Sequence, residues 1–129
     1  KEAERLTMSI PGCVIVSGDT PKKERERILE MFKVGEIPVV ANVGVLTTGF
    51  DYPELDTVVM ARPTMSLAMY YQIVGRCIRP HKDKEAAWFV DLCGNINRFG
   101  EVSDLHLKDT GNGKWAVFSR GRQLTNVRF

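Results

Sequence analysis

What the chain lacks narrows it first. No apolar run in its 129 residues approaches the roughly 18 that a membrane helix needs, and no signal peptide is visible. That excludes a helical membrane protein and predicts no membrane partner. Cysteine is scarce. Cys13, Cys77 and Cys93 are widely spaced, odd in number and without the paired spacing of a zinc site. Each lies in an apolar setting, which predicts free, buried thiols in a reducing compartment. There is no Gly-x-x-x-x-Gly-Lys-Thr/Ser phosphate loop and no adjacent Asp-Glu pair to hold magnesium and a water, so no metal ligands are expected. Internal repeats and low-complexity segments are also missing. The chain opens Lys1-Glu2-Ala3-Glu4-Arg5-Leu6, which reads as the middle of an amphipathic helix and leads us to expect a piece of a longer protein.

What is present describes one domain with a real core. Hydrophobic residues make up 43% and charged residues 26%, ordinary values for a globular protein. The net charge of +2 is uneven. From Thr110 to Phe129 four basic residues, Lys114, Arg120, Arg122 and Arg128, occur without an acid, leaving 14 basic against 16 acidic groups elsewhere. Such a tail can follow a nucleic-acid backbone or form a solvated terminal strand.

Positions 2 to 9 read as a helix closed by Pro11-Gly12. Cys13–Val16 and the run from Ile37 to Ala41 are continuously apolar, the pattern of strands buried on both faces. Between them Thr20 reads as an N-cap, with Pro21 at the first helical position. The helix that follows buries Ile28, Leu29, Met31 and Phe32, wets its charged face and ends at Gly35. Asn42 to Asp51 reads as a loop with one helical turn. A third strand, Thr57–Ala61, exits through Arg62-Pro63-Thr64, and Ser66 caps a long helix. Ala86–Asp91 is a fourth strand after the polar loop His81–Glu85. Strands alternating with helices predict an α/β fold, a parallel sheet with helices on both faces and ligands at the carboxyl ends of its strands. Beyond Gly94 the alternation stops. Leu105–Lys108 and Trp115–Phe118, flanking Asp109–Gly113, predict a β-hairpin.

One stretch organises the rest: Tyr71-Gln72-Ile73-Val74-Gly75-Arg76-Cys77-Ile78-Arg79-Pro80. Tyr71, Val74 and Ile78 supply an apolar stripe, and Pro80 stops the helix. On this reading Arg76 and Arg79 point the same way one turn apart, with Gln72 on the stripe of Arg76. Gly75 leaves room for a backbone or a phosphate beside the guanidinium groups. The bland alternative is a basic, solvated helix face. Tyr70 and Tyr71 could stack on bases, but their spacing favours core and rim positions. His81 reads as an ordinary surface histidine.

These motifs, with Thr47-Thr48-Gly49-Phe50-Asp51 one strand upstream, resemble motifs V and VI of the superfamily 2 DEAD/DEAH-like helicases. The wording from Asn42 to Asp51, Arg62-Pro63-Thr64, Gln72 to Arg79 and Asp91-Leu92-Cys93-Gly94-Asn95 is closest to the RadD-type bacterial and phage helicases. The resemblance implies the second, C-terminal RecA-like domain over residues 1–100, with the motif IV strand missing at its start. Residues 101–129 are then a C-terminal extension, a hairpin and basic tail.

By the same resemblance Arg79 is the arginine finger, Arg76 its companion on phosphate or across the inter-domain cleft, and Gln72 the link to the nucleotide. Gly49 and Asp51 contact the nucleotide or the facing domain. Thr20, Asn42, Thr47 and Thr48 are candidates for nucleic-acid phosphates. ATP and Mg2+ would be bound mainly by a first RecA-like domain of the same polypeptide, absent here, so the fragment alone would be inactive. DNA is the expected track, with RNA not excluded, and the bacterial cytoplasm or nucleoid the expected location. Three alternatives stand beside the motor: a non-enzymatic nucleic-acid-binding module of the same fold, the helicase subunit of a restriction complex, and a stand-alone domain for a small phosphorylated ligand. The last lacks a glycine-rich phosphate loop.

Overall fold

A computed structural model describes residues 2–46 and 50–128, with the backbone alone for 125–128. The chain forms two compact units, Lys1–Tyr52 and Pro53–Phe129.

In the first unit, α1 (Glu2–Ser9) ends ahead of Pro11-Gly12 as its sequence predicts. Gly12 adopts φ +75°, and a Cβ there would lie 2.9 Å from Pro38 Cγ, so conformation and space both demand glycine. Strands β1 (Cys13–Val16) and β2 (Val39–Asn42) pair in parallel, from Cys13 opposite Val39 to Val16 opposite Asn42. Helix α2 (Lys22–Lys33) makes the crossover and buries Ile28 against Val16 and Ile37, with Met31 and Phe32 packed on that cluster. Its outer face neutralises itself: Glu24 pairs with Arg27 at 2.8 Å and Glu30 with Lys33 at 3.3 Å.

The helix closes as Gly35 predicts. At φ +82° its N–H donates to the Phe32 carbonyl at 3.1 Å, and the Glu36 N–H donates to that of Met31 at 2.9 Å. Its start differs from the expectation. Pro21 occupies the cap position without a side-chain acceptor, and the Thr20 hydroxyl accepts the Ser17 N–H at 3.0 Å instead. The tight Ser17–Thr20 turn offers that oxygen a nearer donor than the helix does.

In the second unit, β3 (Thr57–Met60) and β4 (Trp88–Asp91) also pair in parallel, from Thr57 opposite Trp88 to Met60 opposite Asp91. The described parallel ladders are thus two-stranded, one in each unit. Burial on both faces, expected of β1 and β2, fails in β2, where Val39 is exposed and Val40 and Ala41 are half-buried, and it does not extend to β3 and β4. Val59, Trp88 and Val90 are exposed, while Met60 is buried. Alternation is what a ladder shows when one face packs on helix α3 (Leu67–Cys77) and the other does not.

Met60, Tyr70, Val74 and Phe99 form the core of this unit. The Tyr70 ring stacks on Phe99 at 5.2 Å and meets Phe89 edge-on at 5.9 Å. Tyr70 is therefore a core residue and no base platform; Tyr71, 56% exposed, sits on the rim.

Beyond Gly94 the chain does not simply leave the alternation. It forms a short helix α4 (Asn95–Phe99), then one 3-10 turn, Val102–Asp104. Strands β5 (His106–Gly111), β6 (Lys114–Ser119) and β7 (Arg122–Arg128) follow as an antiparallel meander. The expected hairpin is β5–β6. Its turn is confined to Asn112 (φ 54°) and Gly113 (φ 68°), the asparagine-glycine pair that such two-residue turns favour. The basic tail is drawn into the meander, with Lys114 in β6, Arg120 in the turn that follows and Arg122 and Arg128 in β7. Val102 and Leu124 pack on the same core as Tyr70. Of the cysteines, Cys13 and Cys77 are buried free thiols, but Cys93 is only half-buried.

Candidate functional site

Helix α3 is positioned from its first turn. The Ser66 hydroxyl accepts the Met69 N–H at 3.2 Å, the predicted cap, and the Thr64 hydroxyl accepts the Ser66 N–H at 3.0 Å. Its buried stripe is Tyr70, Val74 and Cys77, one residue off the predicted Tyr71 and Ile78, which are 56% and 48% exposed. The Tyr70 hydroxyl, buried, donates to the Gly100 carbonyl at 2.9 Å, and burial pushes its pKa up. Burial also raises the Cys77 thiol, which leaves it protonated and unreactive.

The far end of α3 corrects the sequence reading. Ile78 closes the helix with its N–H on the Val74 carbonyl at 3.3 Å, so Arg79 lies beyond it rather than one turn along it. Pro80 is the cause, because its ring pushes the preceding residue out of helical conformation. Gln72 and Arg76 stay on α3, exposed and half-buried, and Arg79 is half-buried in the bend that follows. A Cβ on Gly75 would meet nothing within 4 Å, so the chain's own packing does not require that glycine.

A lysine braces this end of the helix. Lys84, from the loop read only as polar, donates through Nζ to the carbonyls of Cys77 (2.8 Å), Pro53 (2.9 Å) and Leu55 (3.1 Å). One of these is an end carbonyl of α3. His81 is likewise no plain surface residue. It lies between Glu54 at 3.6 Å and Asp83 at 3.8 Å.

At the carboxyl ends of β3 and β4 a second network gathers. Asn95, fully buried, accepts the Thr64 N–H at 2.9 Å and donates to the Arg62 carbonyl at 3.2 Å and to Asp91 at 2.9 Å. Burial alone would raise the Asp91 pKa. The N–H groups of Ile96 and Cys93 and the Asn95 amide outweigh it and hold the carboxyl below its usual range. This network locks the Arg62-Pro63-Thr64 exit onto α4.

In the first unit, Thr20 follows β1 and Asn42 is the last residue of β2, at the carboxyl ends of the paired strands. Asn42 Oδ1 accepts the N–H groups of Val45 and Leu46, both at 3.0 Å, and so shapes the loop after β2. The described loop residues form bends and no helical turn. Thr47, Thr48 and Gly49 lie outside the described residues. Asp51 is exposed.

Residues 3–81 match the helicase conserved C-terminal domain. The chain belongs to that family. A candidate ATP-dependent helicase of Saccharomyces cerevisiae, IRC3, is 38% identical over 61% of the chain and 12% of its own length. A 51.5 kDa protein of a Lactococcus phage (isolate 7-9) is 34% identical over 80% of the chain and 23% of its own length. The chain therefore spans less than a quarter of either relative. Among solved structures, the C-terminal domain of the DEAD-box protein Dbp5 superposes with a TM-score of 0.53 at 26% identity, over 73% of this chain and 56% of that one. The fold is that of the RecA-like helicase C-terminal domain.

Within a helicase C-terminal domain, a donor set of Gln72, Arg76 and Arg79 suits phosphate oxygens and not a metal. Among the described residues no three His, Cys, Asp or Glu side chains gather to hold a cation, and no helix is long and apolar enough to cross a membrane. Asn95 and Lys84 were invisible as functional braces in the sequence, since their partners lie up to 33 residues away. The only sequence signal was Asn95 within the quoted Asp91–Asn95 motif.

Proposed function

We propose that the chain is the second motor domain of an ATP-dependent nucleic-acid helicase or translocase, closest to the RadD type and running on DNA. Residues 1–100 form the motor part and 101–129 an extension. The observation that carries this reading is a pair of half-buried arginines, Arg76 in the last turn of a braced helix and Arg79 in the bend beyond it, with a glycine beside Arg76 that internal packing leaves unexplained. A guanidinium held in a semi-enclosed place offers a fixed planar fork to phosphate oxygens and needs little rearrangement as negative charge spreads in the transition state. Gln72, on the stripe of Arg76, supplies an amide to the same side.

The polyphosphate and its Mg2+ would be held mainly by a first RecA-like domain; when bound, they supply the scissile bond and the metal's neutralising charge. This chain's part is to orient cations toward that bond and to bind the nucleic-acid backbone. Thr20, after β1, can donate its hydroxyl, and Asn42, at the end of β2, its amide. Because the chain itself lacks a phosphate loop, the 129-residue fragment is expected to fold and to release no phosphate from ATP, with or without single-stranded DNA or RNA. A malachite-green assay beside the intact protein tests this. Turnover within tenfold of the intact protein would overturn the two-domain reading.

A further inference from the structure

A second polar site lies away from α3, at the junction of α4 with the β6–β7 turn. A cleft of about 250 Å³ is lined there by Asn97, Gly100, Ser119, Arg120 and Arg122. Two local preferences are broken around it, and a glycine makes room for one of the exceptions. Ser119 is 3% exposed, and its hydroxyl has no hydrogen-bond partner among the described residues. Arg120 is held at φ 50°, a conformation that arginine rarely adopts. Gly100 has φ +87°, and a Cβ on it would fall 1.9 Å from the Ser119 oxygen, so only glycine lets that hydroxyl sit there. Sites that violate several local preferences at once are where function is expected to override foldability.

The charges select the ligand. Arg120 is fixed by Asp104 at 2.9 Å and Glu101 at 3.6 Å, which meet its charge. Arg122 donates one N–H to the neutral carbonyl of Arg98, and among the described residues no carboxylate pairs with its charge. One uncompensated guanidinium, a second guanidinium locked in orientation, the Asn97 amide and the Ser119 hydroxyl make a donor-rich cleft for a singly charged oxyanion. We propose that this cleft seats a phosphodiester group of a nucleic-acid backbone, carrying the track beyond the motor motifs. Only the source of the diester rests on the helicase reading; the site itself rests on the geometry of the second unit.

The test is amide NMR on the 129-residue chain with two probes, dimethyl phosphate and an eight-nucleotide single-stranded DNA. Both are expected to shift Asn97, Gly100 and Arg122 saturably. Arg122→Gln should weaken dimethyl phosphate binding about tenfold or more, and Arg122→Lys by less. Ser119→Ala should weaken it about two- to tenfold without lowering Tm, since it removes a buried hydroxyl that nothing pairs. Two results overturn the site: no saturable shift in the cleft from either probe, or shifts that Ser119→Ala and Arg122→Gln both leave unchanged. If DNA shifts only Thr20 and Asn42, the cleft assignment falls and the nucleic-acid reading stands. If dimethyl phosphate seats in the cleft and DNA binds nowhere, the site holds and the nucleic-acid reading falls.

Discussion

Helices α2 and α3 each cross between two parallel strands, yet they handle charge in opposite ways. Eight of the twelve residues of α2 are charged, and its acids and bases pair three or four apart along the outer face. One residue of the eleven in α3 is charged, Arg76, and no acid accompanies it. The outer face of α3 shows Met69 and Tyr71 to solvent. A helix that matches its own charges needs nothing from outside and keeps its strands soluble. By contrast, α3 presents an apolar face and a cation at its last turn, where the helix dipole also favours positive charge. The first pattern is that of a self-matched solvent face, and the second suits the role proposed for Arg76.

Exchanging arginines is the strongest way to break that comparison. In the intact protein, Arg76→Ala should lower nucleic-acid-stimulated ATP turnover about a hundredfold, part of it through weaker nucleotide binding. Arg27→Ala on α2 should leave turnover within about twofold, because its partner Glu24 is solvated and an exposed pair contributes little. Steady-state phosphate release with a Tm check on each variant reads both. Equal losses would erase the distinction between the helices.

A smaller effect sharpens it at the helix starts. Ser66→Ala should cost about 1 kcal/mol in urea unfolding, since it removes the hydroxyl that caps α3. Thr20→Ala should cost less, because that hydroxyl serves the Ser17 turn and not the first turn of α2. A Thr20 variant as damaging as the Ser66 variant would restore Thr20 as the cap.

Smallest is the pH effect at Asp91, whose folded pKa lies below its ordinary value. A lowered folded pKa adds stability that is complete above the unfolded pKa and is lost as pH falls through the folded one. The native chain should therefore lose part of its Tm below the ordinary carboxylate range. Asp91→Asn, less stable at neutral pH, should show a flatter acid limb. An unchanged acid limb would remove Asp91 from the brace.

The sequence was legible where the cause was local. Cys13–Val16, the body and glycine stop of α2, the Ser66 cap and the helical placement of Gln72 and Arg76 follow from periodicity and caps, and the RecA-like fold from motif order. Arg79 was misplaced because the period of the apolar residues was carried past the point where Pro80 forbids it. Helix α4 was missed because its first N–H groups are met by Asp91, a strand residue, rather than by a residue at its own cap position. The three carbonyls on Lys84, the contacts of Asn95 with Arg62 and Thr64 and the lodging of Ser119 under Gly100 depend on segments brought together by folding. No spacing rule could have announced them. Ladder partners are also non-local, which is why a continuous parallel sheet was expected and two-stranded ladders were found.

We propose that Arg79 acts on the transferring phosphoryl group across the cleft between the two RecA-like domains. Arg79→Ala in the intact protein, measured by ATP turnover at saturating nucleic acid beside equilibrium nucleotide binding, tests it most directly. The expected result is a kcat lowered on the order of 10³-fold with nucleotide and DNA affinity changed only a fewfold, an unaltered Tm, and incomplete rescue by Arg79→Lys. A near-normal kcat, or activity lost only together with the folded state, would contradict it and return the bend after α3 to a structural role.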